Sequence, residues 1–93
     1  ANKESGIQTS IIKYLNGLGW YVVKVSAATR SGTPDLLCCD TFGCFWAFEV
    51  KANDGVVSKL QEHVIEKIKK TGGSAHVVHS LQQVKTLIEN VGS

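Results

Sequence analysis

The sequence predicts an α/β domain: one mixed four-stranded sheet with helices packed against it. Three observations carry that prediction. Segments with a helical hydrophobic period alternate with short β-branched or aromatic runs in the order α-β-β-β-α-β-α, with no internal repeat or linker. The second helical segment stands between the third and fourth strands, and a separate crossover of that kind lets the fourth strand run parallel to an earlier one. Finally, 93 residues are one domain's worth, so residues 1–93 read as a single unit.

Each element has its own signal. Ile7, Ile11, Ile12, Leu15 and Leu18 line one stripe of a first helix, which Gly17 and Gly19 end. Residues 20–26 have the β-branched and aromatic composition of a strand. Residues 27–34 form a small-residue loop in which Pro34 opposes regular structure. Two further strands, 35–40 and 44–51, are joined by Thr41-Phe42-Gly43, a link short enough for a hairpin. On the second of them Phe45, Ala47, Glu49 and Lys51 share one face, and Cys44, Trp46, Phe48 and Val50 the other. After a loop at 52–57, Ser58-Lys59-Leu60-Gln61 has the form of a capping box and opens a helix carrying Leu60, Val64, Ile65 and Ile68 inward. Gly72 and Gly73 stop it, and residues 74–79 read as the fourth strand. Ser80-Leu81-Gln82-Gln83 repeats the capping pattern before a last helix with Leu81, Val84, Leu87 and Ile88.

Composition removes several classes. A chain 43% hydrophobic and 19% charged is too apolar for intrinsic disorder. The longest apolar run, residues 44–48, falls far short of the ~20 residues of a membrane helix, and residues 1–10 hold no signal-like apolar segment. The expectation is a cytoplasmic protein without a membrane partner. Cys38, Cys39 and Cys44 are an odd set without a CxxC pair and read as reduced, small core residues. His76 and His79, three apart on a strand, face opposite sides, so no zinc site is expected; with His63 they read as structural or surface residues. A net charge of +2 is too mild to identify a polyanionic partner by itself.

Asp35, Glu49 and Lys51 carry the chemistry. Glu49 and Lys51, two apart on one strand, project from one face, and a short hairpin brings Asp35 level with them. Two carboxylates and an ammonium thus converge beside the 27–34 loop. Hard cations such as Mg²⁺ take one or two carboxylates, with waters and a substrate phosphate completing the octahedron. Such a site could hydrolyse a phosphodiester, with Lys51 orienting water or neutralising charge. A plainer explanation exists: Glu-x-Lys on a strand is often a solvated ion pair, and Asp after Pro is common turn chemistry. The setting of Glu49 after Phe45, Trp46, Ala47 and Phe48 favours the chemical one, because an ionised group on so apolar a strand needs a partner or a metal.

Gly32-x-Pro34-Asp35 followed by Glu49-x-Lys51 resembles the signature of the PD-(D/E)xK nuclease superfamily, and most closely its virus-type replication-repair nuclease (VRR-NUC) family. Glu4-x-x-Ile7-Gln8, Ser58 to Gln61, and Gly72-Gly73 before a last strand are similar to that family's further motifs in order and spacing. The likeness runs from Glu4 to about Val84. It implies a restriction-endonuclease-like αβββαβ(α) sandwich and a Mg²⁺- or Mn²⁺-dependent endodeoxyribonuclease with one or two ions per site and no organic cofactor.

By the same resemblance, Asp35 and Glu49 would be metal ligands, with the backbone carbonyl of Val50 a third, and Lys51 the catalytic lysine. Glu4 would reach the metal directly or through water, with Gln8 one helical turn further on. Gln61 would lie near the site or the DNA, although its place in the capping box gives it a second, purely structural use. Ile65 stands where some relatives in the wider superfamily carry a Tyr, which disfavours an exonuclease of that branch. Arg30, Ser31 and Thr33 would hold a phosphate beside the metal. Lys59, with Lys24, Lys67, Lys69 and Lys70, would add backbone contacts, unless these lysines are only a solvated face. Trp46 and Phe48 are expected in the core or at a dimer surface. Small stand-alone members are similar to dimeric Holliday junction resolving enzymes, so the implied partners are branched DNA and a second copy of the chain. The alternative is a non-catalytic DNA- or protein-binding module on a nuclease-like scaffold. A restriction-type reader of sequence is a weaker third reading, because the chain leaves little room for a recognition region.

Overall fold

The computed structural model describes residues 3–53 and 55–91. The chain runs α1 (Lys3–Gly17), β1 (Tyr21–Lys24), β2 (Leu36–Cys39), β3 (Phe45–Val50), α2 (Lys59–Thr71), β4 (Ser74–Val78) and α3 (Leu81–Val91). The strands make one sheet in the order β1-β2-β3-β4, antiparallel at the first two pairings and parallel at β3-β4. The predicted element order and mixed sheet are both present.

β3 is buried on both faces, which explains why its apolar run is nearly continuous. Trp46, Phe48 and Val50 meet Ile11 and Leu15 of α1 and Val84 of α3. On the other face Ala47 and its β4 neighbour Ala75 meet Ile65 of α2. Ile65 is therefore a core residue, and so are Trp46 and Phe48, whose rings lie 5.9 Å apart. This two-faced packing puts Glu49, two residues after Ala47, on the α2 side of the sheet.

Local chemistry sets the ends of the elements. At the start of α2, Gln61 N donates to Ser58 Oγ (3.1 Å) and Ser58 N to Gln61 Oε1 (3.0 Å), closing the capping box. Gly72 ends the helix at φ 109°, its N–H reaching the Ile68 and Lys69 carbonyls. At the hairpin tip Asp40 accepts from Phe42 N, Cys44 N and Trp46 Nε1, each at 2.9 Å.

Several expectations need correction. Leu60 stays out of the core and is 49% exposed, with its contact to the 27–34 loop instead: a Cβ added at Gly32 would lie 2.9 Å from its Cγ. Leu18 is also exposed, having passed the end of α1. Cys44 sits on the exposed hairpin arm, outside the core; Cys38 alone is fully buried, and burial pushes its thiol up to about 12. The second capping box is displaced: Gln83 N donates to Ser80 Oγ, but Gln83 Oε1 takes the N–H of His79 (2.6 Å). Among the described residues no helix is long and apolar enough to cross a membrane.

Candidate active site

The site grows from the open end of the β2–β3 hairpin. Leu36 pairs with Phe48, so Asp35 stands one step further on, across from Glu49. Gly32 brings the loop there at φ +80°, under a close contact with Leu60 and Val64 that a side chain would block. Asp35 is fixed at both ends: its carbonyl accepts from Val25 N (2.8 Å) and its Oδ2 from Val50 N (2.9 Å).

Glu49 is 3% exposed. Its Oε2 receives Gln61 Nε2 at 3.1 Å and lies 3.5 Å from Lys51 Nζ. Its Oε1 is buried with no hydrogen-bond partner among the described residues. Burial, and then the charge of Asp35, push the Glu49 carboxyl up to about 7 against the pull of Lys51. An acceptor left bare in a core costs roughly 1–3 kcal/mol, so its retention points to a ligand.

The backbone of Lys51 is pinned to the end of β4. Lys51 N donates to Val78 O (3.0 Å), and His79 Nδ1 lies 3.1 Å from Lys51 O, where a carbonyl acceptor requires the proton on Nδ1. Carbonyl and N–H of a trans peptide point in opposite directions, so with Lys51 N–H aimed at β4 the Val50 carbonyl faces the β2 side, where Asp35 stands. Two carboxylates and a carbonyl at one strand end form an all-oxygen set suited to a hard divalent cation. No three or more His, Cys, Asp or Glu side chains gather as a ready cage among the described residues, for zinc or any other metal.

The remaining expected residues are placed unevenly. Glu4 is at the rim of the site: its Oε2 accepts from Ala52 N at 3.4 Å, tying the start of α1 to the residue after Lys51. Gln61 holds both of its proposed positions at once, its Oε1 capping α2 while its Nε2 holds Glu49. Gln8 is half-buried one turn after Glu4, and Lys59 is exposed at the first turn of α2. Arg30 and Ser31 are exposed, and Thr33 Oγ1 closes the loop on Arg30 O at 2.6 Å. Arg30 lines a cleft with Phe45 and Lys67, toward the far end of β3 from Glu49, so it does not share the immediate surroundings of the carboxylates. Lys69 pairs with Glu66 at 3.6 Å. His76 packs beside Trp46 and Phe48 in a structural role. His79 is the residue that sequence reasoning missed: its contact depends on where β4 ends, which no spacing announces.

No family model matches the chain, and no curated protein does. Solved structures do. A VRR_NUC domain is 37% identical, superposes with a TM-score of 0.84, and covers 96% of this chain and 97% of its own. A VRR_NUC domain protein, 18% identical with a TM-score of 0.74 over 97% of this chain and 88% of that one, shares the fold. With a relative 37% identical along nearly its whole length, the chain belongs to the VRR-NUC domain family.

Proposed function

We propose that the chain is a metal-dependent endodeoxyribonuclease that hydrolyses phosphodiester bonds in branched DNA and works as a homodimer. The observation that carries this reading is the buried Glu49, with one oxygen bare and the other held by Gln61, beside Asp35 and Lys51. Asp35, Glu49 and the Val50 carbonyl fit Mg²⁺ or Mn²⁺, with Glu4 at the edge. Bound there, the ion would neutralise charge on the phosphoryl group and lower the pKa of a coordinated water.

The protein's own groups do the rest. Gln61 fixes Glu49 Oε2 and so leaves Oε1 for a ligand. The ammonium of Lys51, already 3.5 Å from Glu49, opposes the negative charge that grows on the phosphorus oxygens and can hold the attacking water by a hydrogen bond. The bond from Val50 N to Asp35 keeps the strand end rigid, so that these groups need little reorganisation. One such site cuts one strand, and paired cuts across a four-way junction call for two sites related by a two-fold axis.

Cleavage of four-way junctions, flaps and linear duplex by the wild type, Asp35→Ala, Glu49→Ala and Lys51→Ala, with and without EDTA, tests this reading. Each variant should lose cleavage on the order of 10³-fold or more while staying folded. Robust cutting by Lys51→Ala, or in EDTA, overturns it. Calorimetry with Mn²⁺ identifies a non-catalytic module by the lack of any binding that depends on Asp35 and Glu49.

A further inference from the structure

α2 presents two unlike flanks. Towards β4 and α3 it contributes Glu62, Glu66 and Lys69 to a groove of about 630 Å³. Towards the 27–34 loop it contributes His63 and Lys67 to a cleft of about 570 Å³ that Arg30 completes, with Pro34, Val64 and Phe45 among its apolar lining. An adjoining hollow of about 530 Å³ shares Arg30, Phe45 and Lys67 and runs on to Gly72 and Gly73. Among the described residues no Asp or Glu lines either of these last two. The polarity of α2 therefore sends a polyanion to the loop side and away from the β4 side.

Phe45 is 42% exposed, although it lies on the same face of β3 as Glu49. Four residues at about 3.3 Å each separate the two by about 13 Å, a span of a few nucleotides along one strand. The cleft's lining includes Pro34, next to Asp35 in the chain, and Val64, one helical turn past Gln61, so it lies on the α2 side of the sheet near the carboxylates. An aromatic side chain among apolar neighbours, with cations beside it and no carboxylate, is the chemistry that takes a nucleotide: the base stacks on the ring and its phosphates meet the guanidinium and ammonium. A base inside a duplex is paired and stacked and cannot lie on Phe45.

We propose that this cleft binds an unpaired nucleotide a few positions from the bond cut at Glu49, with Phe45 as stacking platform and Arg30 and Lys67 as phosphate contacts. The proposal rests on the nuclease reading for the cut site and adds the substrate feature selected: unpaired bases beside the scissile bond. The β4 groove, with its two glutamates, stays clear of DNA.

Fluorescence anisotropy in EDTA, with the full chain and labelled DNAs of equal length, tests it. The wild type should bind a duplex with a single-stranded flap more tightly than the fully paired duplex. Phe45→Ala should weaken flap binding by about 5- to 100-fold, the worth of one stacked base, and change duplex binding less than about twofold. Phe45→Trp should retain flap binding. Arg30→Ala with Lys67→Ala should weaken flap binding and lower its salt slope by about 2. Equal binding of flap and duplex by the wild type overturns the proposal, as does undiminished flap binding by a folded Phe45→Ala. Since Phe45 packs near Ile68 and Gly73, Arg30→Glu at an exposed position serves if Phe45→Ala fails to fold: about a fivefold or greater loss on the flap supports the cleft, and no loss overturns it. A wild type that binds flaps through Phe45 yet never cuts with Mg²⁺ or Mn²⁺ overturns the nuclease reading and leaves the cleft standing.

Discussion

The two ends of the β2–β3 hairpin each hold a carboxylate, and the fold treats them in opposite ways. At the tip, Asp40 is met by two turn amides and the indole of Trp46. What burial it has works to raise its pKa, but those bonds outweigh it and hold the carboxyl below its ordinary value. At the open end, Glu49 has lost water with no backbone donor to it among the described residues, and burial with the nearby Asp35 holds it high. A tight turn supplies N–H groups that converge on one point, whereas at the strand end the Val50 N–H goes to Asp35 and the Lys51 N–H to the Val78 carbonyl. One carboxylate is thus a completed structural joint, and the other keeps an oxygen without a hydrogen-bond donor among the described residues.

Glu49→Gln breaks the comparison most severely. Cleavage should fall on the order of 10³-fold or more, because a neutral amide cannot replace an anionic ligand. Metal-free stability should move the other way. Between the ordinary carboxylate pKa and about 7, folded Glu49 holds a proton that the unfolded chain has released, so its contribution is lost as pH rises through that window. Gln never ionises and escapes this loss. In EDTA the Tm of Glu49→Gln relative to wild type should therefore rise by several degrees between pH 4.5 and pH 8. An unchanged Tm difference across that range would show that Glu49 carries no strained charge. Added Mn²⁺ should raise the Tm of the wild type and leave that of Glu49→Gln in place.

Much of this end of the molecule is legible in the sequence, and the reasons are local. The two-residue period of a strand puts Glu49 and Lys51 together, and a short hairpin puts Asp35 opposite, so the cluster of Asp35, Glu49 and Lys51 follows from spacing alone. The alternation of helical and strand periods likewise gives the element order. What spacing cannot give is how one element docks on another. The second hydrogen bond of Gln61 exists because α2 lies across Ala47 and Ala75, two small residues that admit the helix close to the sheet. Leu60 looks inward by helical period, yet it meets a loop whose path depends on Gly32. Arg30 lies in a segment with no period, and its place beside Phe45 and Lys67 depends on the loop's course over α2.

Asp40→Ala, at the satisfied end, should reverse the pattern of Glu49→Gln. Removing three hydrogen bonds and leaving the Trp46 N–H without its partner should cost about 2–3 kcal/mol, read as a lower denaturant midpoint, with cleavage by the folded fraction unchanged. Asp40→Asn should cost less, since an amide oxygen still accepts from Phe42 and Cys44 while its NH₂ cannot accept from the indole. The pKa of Asp40 is depressed, so its contribution is present above the ordinary carboxylate value and lost as pH falls through the lower folded one. A loss of cleavage matching that of Glu49→Gln would mean that the two ends are not separable.

The cap of α2 sharpens the contrast, because Gln61 serves both purposes. Ser58→Ala removes one side of the capping box and should cost about 1 kcal/mol of stability while leaving Gln61 Nε2 on Glu49. Gln61→Ala should cost about as much stability and, in addition, about tenfold in cleavage, as Glu49 loses the donor that orients it. Matching cleavage by the two variants would reduce Gln61 to a cap.

The smallest effect belongs to His79, where β4 gives way to α3. In a continuing parallel ladder, Lys51 O would accept from the N–H of residue 80, just as Lys51 N donates to Val78 O. The chain turns away at that point, and the imidazole of His79 supplies the missing donor at 3.1 Å, while its own N–H goes to Gln83. His79 thus acts on Lys51 through the backbone, as a positioning residue. His79→Ala should lower kcat by about three- to tenfold with little change in KM, the worth of one hydrogen bond. His79→Asn, whose side-chain NH₂ can occupy the place of Nδ1–H, should recover most of that loss. The carbonyl ¹³C shift of Lys51 in metal-free protein reads the same bond without catalysis: it should move in His79→Ala and return in His79→Asn. Wild-type kcat together with an unmoved carbonyl shift in His79→Ala would leave the ammonium of Lys51 placed by Glu49 and the strand alone.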